Sequence, residues 1–303
     1  MKVIVIGASG LIGRRLVEEL QKRGDQVVVT GRSEAKLRKA FPAGVSCLEW
    51  DPMAGPLPAG DADAVINLAG ESVASGRWTA AKKERIRASR VVGTRNVVDG
   101  MTAAGEGGPK ILVQASAIGW YGDTKHNWVH EGAPPAQDFL AEVCVAWESE
   151  AARAREHGVR TAIVRIGVVL AREGGAYPLM SRPFRLFAGG SIGLGKAWFS
   201  WVHIDDVVGI CLHCLDSDRA RAVYNATAPN PVSNGEFTKT LGQVLKRPTL
   251  FPVPPQALRV VLGEFATVVT ASQRVRPLRT IGLGYAFRHP RLAGALESLE
   301  GKA

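Results

Sequence analysis

Near its start the chain carries the stretch GASGLIG at residues 7–13, directly after the short apolar run VIVI at residues 3–6. The run is mostly β-branched and does not alternate with polar residues, which is typical of a strand buried on both faces of a sheet. After the glycines, apolar residues recur on one face of a predicted helix that ends before Gly24. This succession predicts a doubly wound, parallel α/β sheet.

A strand, a glycine-rich turn and the start of a helix together form a binding site for phosphate. Gly7 permits the tight turn, Gly10 lets the backbone approach a pyrophosphate, and Gly13 lets the helix pack closely on the strand. The free N–H groups and the positive dipole end of the helix then face the phosphates. The turn therefore predicts a bound dinucleotide.

The end of the second predicted strand indicates which dinucleotide binds. That strand covers residues 26–30 and is followed by Gly31 and Arg32, which we place in the cofactor site. In this fold an acidic residue here holds the ribose 2′-hydroxyl, whereas an arginine accommodates a 2′-phosphate. Arg32 therefore favours NADP over NAD. The alternative is that Arg32 is a solvated turn residue.

Composition narrows the class of protein. The 303 residues are 46% hydrophobic and 22% charged, which suits a globular protein of one large or two modest domains. Because no apolar run is long enough for a membrane span and no basic-then-apolar leader precedes the first strand, we expect a cytoplasmic protein without a membrane partner. The net charge of +10 permits anion binding. Basic and acidic residues are mixed along the chain, so we expect no nucleic-acid partner.

The four cysteines do not indicate disulfides or a metal site. Cys211 and Cys214 form a C-x-x-C, but they lie within an apolar helical pattern and no second ligand pair follows at zinc spacing. We therefore predict that they are core residues and that the chain binds no metal.

The rest of the chain alternates strands and helices and then becomes mainly helical. We predict strands at 45–50, 64–67, 111–117, 161–170 and 223–225, helices at 33–41, 79–98, 139–157 and from 206, and a loop at 119–123. Small residues at Ala69 and Gly70, after the fourth strand, leave room for a cofactor at the sheet edge.

These elements suggest two domains. Residues 1–228 would form the NADP-binding domain, with a lid-like insertion at 171–199 over the cofactor that returns to the sheet at 201–204. Residues 229–303, with predicted helices at 236–245, 256–270 and 292–299, would form a small domain that supplies the other wall of a substrate cleft.

The chain resembles the extended or atypical short-chain dehydrogenase/reductases of the NAD-dependent epimerase/dehydratase superfamily, in the "epimerase family protein" branch with its own C-terminal domain. The superfamily motifs are GASGLIG at 7–13, NLAGE at 67–71, SRVVGTRNVV at 89–98, ASAIGWYG at 115–122, VRIGVVL at 164–170 and WVHIDD at 201–206. The branch motifs are GRW at 76–78, FLAEVCVAWE at 139–148, TAPNPVSNGEF at 227–237, SQRVRP at 272–277 and GYAF at 284–287.

The resemblance implies a Rossmann-like fold that binds NADP(H). The matching cofactor residues are Gly7, Ser9, Gly10, Leu11, Ile12, Gly13, Arg32, Leu68, Ala69 and Gly70. Arg90 occupies a position that is asparagine in many extended members, and we include it as a cofactor contact.

One departure from the superfamily concerns catalysis. Its chemistry uses a tyrosine and a lysine four residues later on one helix face, where the lysine lowers the pKa of the phenol. Alignment on Glu148 places Leu140 and Cys144 at these positions, and neither does that work. Tyr121 and Lys125 have the right spacing, but they lie in a predicted loop, where this spacing does not bring side chains together.

Ser116 and Tyr121 are therefore the predicted catalytic residues. Ser116 matches the substrate-orienting serine of the superfamily, although a plain serine at a strand end is an equal alternative. His203 with Asp205 invites an acid–base role, but the resemblance favours a strand-to-helix junction capped by an aspartate. The lid residues Tyr177, Arg182, Arg185, Trp198 and Trp201 either line a substrate pocket or pack the lid itself.

The sequence thus predicts an NADP(H)-binding oxidoreductase or epimerase-like enzyme that acts on a small hydroxylated or carbonyl substrate. The alternative is a non-catalytic NADP(H)-binding regulator or scaffold, which the missing tyrosine–lysine pair favours. Substrate identity, reaction direction and oligomeric state stay open.

Overall fold

The structure, a computed structural model, describes residues 1–41 and 43–302. Its strands are β1 (Lys2–Ile6), β2 (Gln26–Gly31), β3 (Ser46–Glu49), β4 (Ala64–Asn67), β5 (Ile111–Ala117), β6 (Trp128–Val129), β7 (Arg160–Ile166), β8 (Val168–Ala171), β9 (Gly174–Gly175), β10 (Trp198–Phe199), β11 (Trp201–His203), β12 (Val223–Ala226), β13 (Val232–Ser233) and β14 (Arg274–Val275). Its α-helices are α1 (Leu11–Lys22), α2 (Glu34–Ala40), α3 (Ala80–Ala103), α4 (Phe139–Ala152), α5 (Ala176–Arg185), α6 (Ile204–Asp216), α7 (Asn234–Leu245), α8 (Pro255–Leu262), α9 (Ala266–Thr270), α10 (Leu278–Gly282) and α11 (Leu292–Leu299).

Seven parallel strands form the central sheet, in the order β12-β7-β5-β4-β1-β2-β3. The chain begins in the middle and winds outward in both directions, so β1 and β4 are neighbours at the point where the winding reverses. In open α/β sheets the ligand binds at the carboxyl ends of the strands at this point. The predicted doubly wound parallel sheet is therefore confirmed, and the glycine turn lies where a ligand is expected.

Helices cover both faces of the sheet. Alternate side chains of β1 point to opposite faces and therefore pack against different helices. Val3 and Val5 belong to a core shared with α1 and α6, whereas Ile4 and Ile6 pack with residues of α3 and α4. Both sets are essentially fully buried. This double burial explains why the strand reads as a continuous apolar run.

The C-terminal part is mainly helical, as predicted, and it joins the rest of the molecule through short strands. β13 pairs with β10, and β14 pairs with β6. A separate core of this region contains Phe237, Leu241 and Leu296, together with Tyr177 and Trp201 from the preceding segment.

The predicted strand at 161–170 is wrong in one respect, because the chain leaves the central sheet at Gly167. The peptide N–H of Gly167 still donates to Ala226, but that of Val168 donates to Ser200. A Cβ on Gly167 would lie 2.7 Å from the Ser200 oxygen, so the crossing needs a glycine. β8 then joins β11 and β9 in a separate small sheet. The predicted return of residues 201–204 to the central sheet is therefore also wrong.

Three further elements differ from the prediction. Residues Ile118–Tyr121 form a 3-10 helix where we expected a loop, and the predicted helix at 139–157 changes to a 3-10 helix at Arg153–His157. The predicted helix at 256–270 is divided into α8 and α9 by Gly263, whose φ of 61° is unfavourable for a residue with a side chain.

Within the described part of the chain, no helix combines the length and apolar character needed to cross a bilayer. Cys144, Cys211 and Cys214 are buried free thiols, and burial raises the pKa of Cys211 to about 12. The prediction that the two C-x-x-C cysteines are core residues is therefore confirmed.

Candidate functional site

The glycine turn after β1 is held so tightly that its glycines cannot be replaced without movement of the backbone. Gly7 has a φ of 77°, and its carbonyl accepts the N–H of Gly10 at 3.0 Å. A Cβ on Gly13 would lie 2.4 Å from that carbonyl oxygen, and a Cβ on Gly7 would lie 2.8 Å from the carbonyl carbon of Leu68. The turn therefore brings the start of α1 close to the exit of β4.

The start of α1 is suited to an anion. Its N-cap is Gly10, which has no side chain to accept a hydrogen bond, and its first turn contains no acidic residue. The first N–H groups of a helix lack partners within the helix, and its dipole adds partial positive charge there. These features fit the pyrophosphate of a dinucleotide, with Gly7, Ser9, Gly10, Leu11, Ile12 and Gly13 as the residues that would hold it.

Arg32 lies directly after β2, is exposed, and forms no ion pair with a carboxylate of the described residues. The neighbouring Ser33 caps α2 by accepting the N–H of Lys36 at 3.4 Å. The carbonyl of Gly31 accepts the N–H of Trp50 at 2.9 Å, which joins β2 to the residue after β3. Arg32 thus lies exposed at the end of β2, the neighbour of β1 in the sheet.

The exit of β4 forms the other side of this site. The side chain of Asn67 accepts the N–H of Ala69 at 3.2 Å and donates to Thr94 and Gln114, and all three side chains are buried. This network fixes the path of Leu68 and Ala69, and Gly70 is exposed. Room for a cofactor beside Ala69 and Gly70 stays a prediction.

Arg90, on α3, lies directly against Gly70. A Cβ on Gly70 would be 2.9 Å from Cζ of Arg90. Its guanidinium donates to the carbonyls of Glu71 and Ile86 at 3.0 and 3.2 Å, and Cζ lies 5.0 Å from the ring centroid of Trp147. The arginine therefore lies against the segment that leaves β4.

Ser116, at the end of β5, is 2% exposed, and its hydroxyl is used inside the protein. It donates to Oε1 of Glu148, on α4, at 2.6 Å. Glu148 also accepts two hydrogen bonds from Arg165, on β7, at 2.7 and 2.8 Å. Burial alone would lower the pKa of Arg165. The bonded carboxylate of Glu148 outweighs this effect and raises that pKa above its ordinary value, so the arginine stays charged although it is buried.

Tyr121, in the 3-10 helix, belongs to the same network and is 5% exposed. Its hydroxyl donates to Oδ1 of Asn225 at 2.8 Å and accepts from Arg165 at 3.1 Å. Cζ of Arg165 also lies 3.6 Å from the ring centroid of Trp120. Burial raises the pKa of Tyr121, so its proton is held more firmly than that of a free phenol. The structure thus joins Ser116 and Tyr121 through one arginine–glutamate pair.

The structure does not assemble a tyrosine–lysine pair from Tyr121 and Lys125. Lys125 is exposed, has a φ of 54°, and lies beyond the 3-10 helix, so the charged partner of Tyr121 is Arg165 instead. At the aligned helical positions, Leu140 is apolar and Cys144 is buried, and burial raises the pKa of its thiol to about 11. These contacts make Cys144 a poor nucleophile or base.

His203 is a buried structural residue. Its Nδ1 accepts the N–H of Asp205 at 3.2 Å, so the side chain that caps α6 is this histidine and the expected aspartate cap is wrong. Its ring stacks on His289 with centroids 3.8 Å apart. Burial, with the charge of His289 as a second cause, lowers the pKa of His203 to about 4. It is therefore a neutral histidine at neutral pH.

Asp206, next in the motif, links the C-terminal part to the central sheet. It is fully buried and accepts hydrogen bonds from the hydroxyl of Tyr285 at 3.0 Å and from the N–H groups of Arg288 and His289 at 2.7 and 3.0 Å. The strand-to-helix junction therefore has a structural role, as the resemblance favours.

The lid residues separate into two kinds. Tyr177 and Trp201 are core residues, and the hydroxyl of Tyr177 donates to Glu300 at 2.6 Å. Arg185 pairs with the same Glu300. Trp198 is instead half-buried, and Cζ of Arg274 is 3.7 Å from its ring centroid. The packing interpretation thus holds for Tyr177 and Trp201.

Sequence reasoning missed three members of the buried network: Glu148, Arg165 and Asn225. A signal was present for Arg165, because it is the one charged residue in the stretch AIVRIGVVL at 162–170. A charge in such a place requires a partner.

Comparisons with known proteins agree with this geometry. The profile of the NAD dependent epimerase/dehydratase family matches residues 3–227, and that of a domain of unknown function, DUF1731, matches residues 253–299. The chain is 41% identical over 304 residues to the "Epimerase family protein SDR39U1 homolog, chloroplastic" of Arabidopsis thaliana, covering 99% of this chain and 86% of the relative.

Two further proteins are similar over their full lengths. The "Epimerase family protein YfhF" of Bacillus subtilis is 35% identical over 304 residues, covering 99% of this chain and 98% of the relative. A crystal structure of human epimerase family protein SDR39U1 (isoform2), solved with NADPH, superposes with a TM-score of 0.90 at 33% identity and covers 100% of both chains.

Proposed function

The chain belongs to the NAD-dependent epimerase/dehydratase family, and on this premise we propose that it binds NADP(H) and acts as a short-chain dehydrogenase/reductase-like protein. The observation that carries the proposal is the turn of Gly7, Gly10 and Gly13. Cβ atoms on Gly7 and Gly13 would collide with backbone, and the first turn of the following helix has no acidic residue. The human relative solved with NADPH supports the same cofactor.

The proposed cofactor residues follow the strand order of the sheet. Gly31, the last residue of β2, and Arg32, the next residue, would hold the 2′-phosphate end, and the turn after β1 would hold the pyrophosphate. Leu68, Ala69, Gly70 and Arg90 would border the cofactor beyond β4. When bound, the cofactor supplies hydride transfer.

As an enzyme, the protein would act as an oxidoreductase on a small hydroxylated or carbonyl substrate. Ser116 and Tyr121 stay predictions as the residues that polarise the substrate oxygen. The Glu148–Arg165 pair would position both hydroxyls, since it bonds to each of them. A bond from Arg165 also stabilises the phenolate that remains when Tyr121 gives up its proton.

The alternative function, a non-catalytic NADP(H)-binding regulator or scaffold, rests on a separate observation. Both predicted catalytic hydroxyls already have partners inside the protein, and Leu140 and Cys144 take the places of the usual pair. On this alternative the cofactor would stabilise a binding surface. A cytoplasmic location also stays a prediction, and the Arabidopsis relative is described as chloroplastic.

A turnover screen tests the enzymatic proposal. Purified protein with NADPH is incubated with a panel of carbonyl compounds, and oxidation is followed by absorbance for wild type, Ser116→Ala and Tyr121→Phe. Tyr224→Phe is the matched control, because this buried tyrosine bonds to the carbonyl of Arg219 instead. We expect turnover that falls at least tenfold in both site variants and not in the control.

Two results would change the proposal. Turnover that neither Ser116→Ala nor Tyr121→Phe affects would refute the catalytic residues. Tight NADPH binding with no turnover on any compound would favour the regulator.

A further inference from the structure

Arg90 is a half-buried arginine that has no carboxylate partner among the described residues. Arg165 pairs with Glu148, and Arg160 donates to the carbonyls of Cys214, Leu215 and Ala220 near the end of α6. Arg90 forms no ion pair with any carboxylate of residues 1–41 and 43–302. Glu71 offers Arg90 only its backbone carbonyl, because its carboxylate bonds to Lys82 at 2.6 Å.

The donors of Arg90 are also only partly used. Both hydrogen bonds come from Nη1, to the carbonyls of Glu71 and Ile86. Nε and Nη2 make no hydrogen bond to a residue that the structure describes, although a guanidinium offers five N–H donors. Nη2 would lie 3.0 Å from a Cβ on the exposed Gly70, which places it beside the exit of β4.

The surroundings of this charge are partly protein and partly water. Arg90 is half-buried, and burial lowers its pKa below the ordinary value. The ring of Trp147 on one side offers the face of an aromatic system, which attracts a cation more weakly than a carboxylate does. A partly buried cation with spare donors favours an incoming oxyanion, because a charge-assisted bond replaces lost hydration.

The strand order indicates which part of the site this is. Arg32 follows β2 and the glycine turn follows β1, whereas Gly70 follows β4, one strand further from Arg32. Neighbouring strands lie about 4.8 Å apart. The next strand, β5, carries Ser116 at its end. Arg90 therefore lies beyond the pyrophosphate cradle, on the side where a substrate would meet Ser116 and Tyr121.

We propose that Arg90 binds an oxyanion of the substrate, a carboxylate or a phosphate, through Nε and Nη2. This inference rests on the proposed NADP(H) function and identifies the substrate class as acidic. It assigns Arg90 to the substrate rather than to the cofactor's own phosphates, which the glycine turn and Arg32 accommodate.

Thermal unfolding in the presence of inorganic phosphate tests the proposal. Wild type, Arg90→Gln and Arg87→Gln are saturated with NADPH, so that the cofactor's phosphate sites are filled, and phosphate is added against sodium chloride of equal ionic strength. Arg87 is exposed on the same helix and forms no ion pair with a described carboxylate, so it controls for net charge. Far-UV circular dichroism establishes that each variant is folded.

We expect phosphate at about ten times its dissociation constant to raise the unfolding temperature of wild type and Arg87→Gln by about 2 °C. Arg90→Gln should show no rise, and Arg90→Lys, which keeps the charge, should retain part of it. An equal rise in Arg90→Gln would overturn the proposal. A rise that disappears when NADPH saturates the wild type would also overturn it, because the anion would then be the cofactor's.

The proposed function fails by a different result. If NADPH does not bind the wild type, the cofactor assignment is refuted, and the same titration without NADPH still decides whether Arg90 binds an oxyanion.

Discussion

The buried pair Glu148–Arg165 should be the most sensitive point of the candidate site. The two side chains are 8% and 3% exposed, and they share two hydrogen bonds of 2.7 and 2.8 Å. Glu148→Gln removes the charge at nearly constant volume and turns amide N–H groups toward the donors of Arg165. Breaking a buried pair by changing one partner costs about 3–5 kcal/mol, because the other charge is left without compensation.

This cost converts into a measurable change of melting temperature. For 303 residues the entropy of unfolding is about 0.6 kcal/mol/K. Glu148→Gln should therefore lower Tm by about 5–8 °C in differential scanning calorimetry. Glu142→Gln is the control, because Glu142 is exposed on the first turn of the same helix. Loss of the Glu142 charge should lower the free energy of unfolding by about 0.3–1 kcal/mol, because that charge no longer interacts with the helix dipole.

A double-mutant cycle separates the pair from its surroundings. Glu148→Leu combined with Arg165→Met removes both charges, and replacement of a whole buried pair by apolar residues is often close to neutral. We expect the double variant to be at least about 2 kcal/mol more stable than the sum of the single changes predicts. Additive losses, or a Glu148→Gln variant as stable as Glu142→Gln, would refute the reasoning.

Three other changes test separate parts of the structure. Asp206→Asn weakens the hydrogen bonds to two backbone N–H groups. It should lower the free energy of unfolding in urea titration by about 3 kcal/mol and speed proteolysis of the C-terminal part. Unchanged proteolysis would contradict this. Gly13→Ala should weaken NADPH binding at least tenfold in calorimetry, because its Cβ would lie 2.4 Å from the oxygen of Gly7; wild-type affinity would contradict it. Since the pKa of His203 is lowered to about 4, the unfolded chain takes up that proton first. The contribution of His203 to the free energy of unfolding should thus be complete above pH 6.5 and fall toward pH 4 by on the order of 1 kcal/mol per pH unit. His203→Gln should reduce this slope, and an unchanged slope in that variant would contradict the assignment.

The central sheet and the cofactor turn were predictable because their signals are local. A continuous apolar strand, a G-x-x-G-x-x-G turn and an amphipathic helix lie within the first 22 residues, and each has one physical interpretation. The same holds for the core cysteines, which follow from apolar helical spacing.

The break at Gly167 was not predictable from the same kind of signal. Apolar residues continue through the glycine from β7 into β8, and periodicity cannot show that the partner strand changes. The reason for the break is a long-range contact with Ser200. The 3-10 helix at Ile118–Tyr121 is a related case, because its glycine suggested a loop whereas tertiary bonds from Gln273 to Ile118 and Gly122 hold the turn.

The buried polar network also depends on contacts far apart in sequence. Asn225 is 104 residues from Tyr121, and Glu148 is 32 residues from Ser116. The sequence predicted Ser116 from the family resemblance and Tyr121 from its place after β5, but their partners come from α4, β7 and β12. The consequence for function is substantial, since those partners decide whether each hydroxyl is free to meet a substrate.

The most direct test of the account is calorimetric titration of NADPH and NADH into wild type and Arg32→Ala. Arg38→Ala is the control, since the guanidinium of Arg38 pairs with Glu34 on α2. We predict that wild type prefers NADPH and that Arg32→Ala weakens NADPH binding by about 10- to 100-fold, because a charge-assisted contact to the 2′-phosphate is lost. NADH binding and the control should change little. Equal losses for both dinucleotides, or a wild-type protein that binds neither, would contradict the claim that this turn and this arginine hold NADP(H).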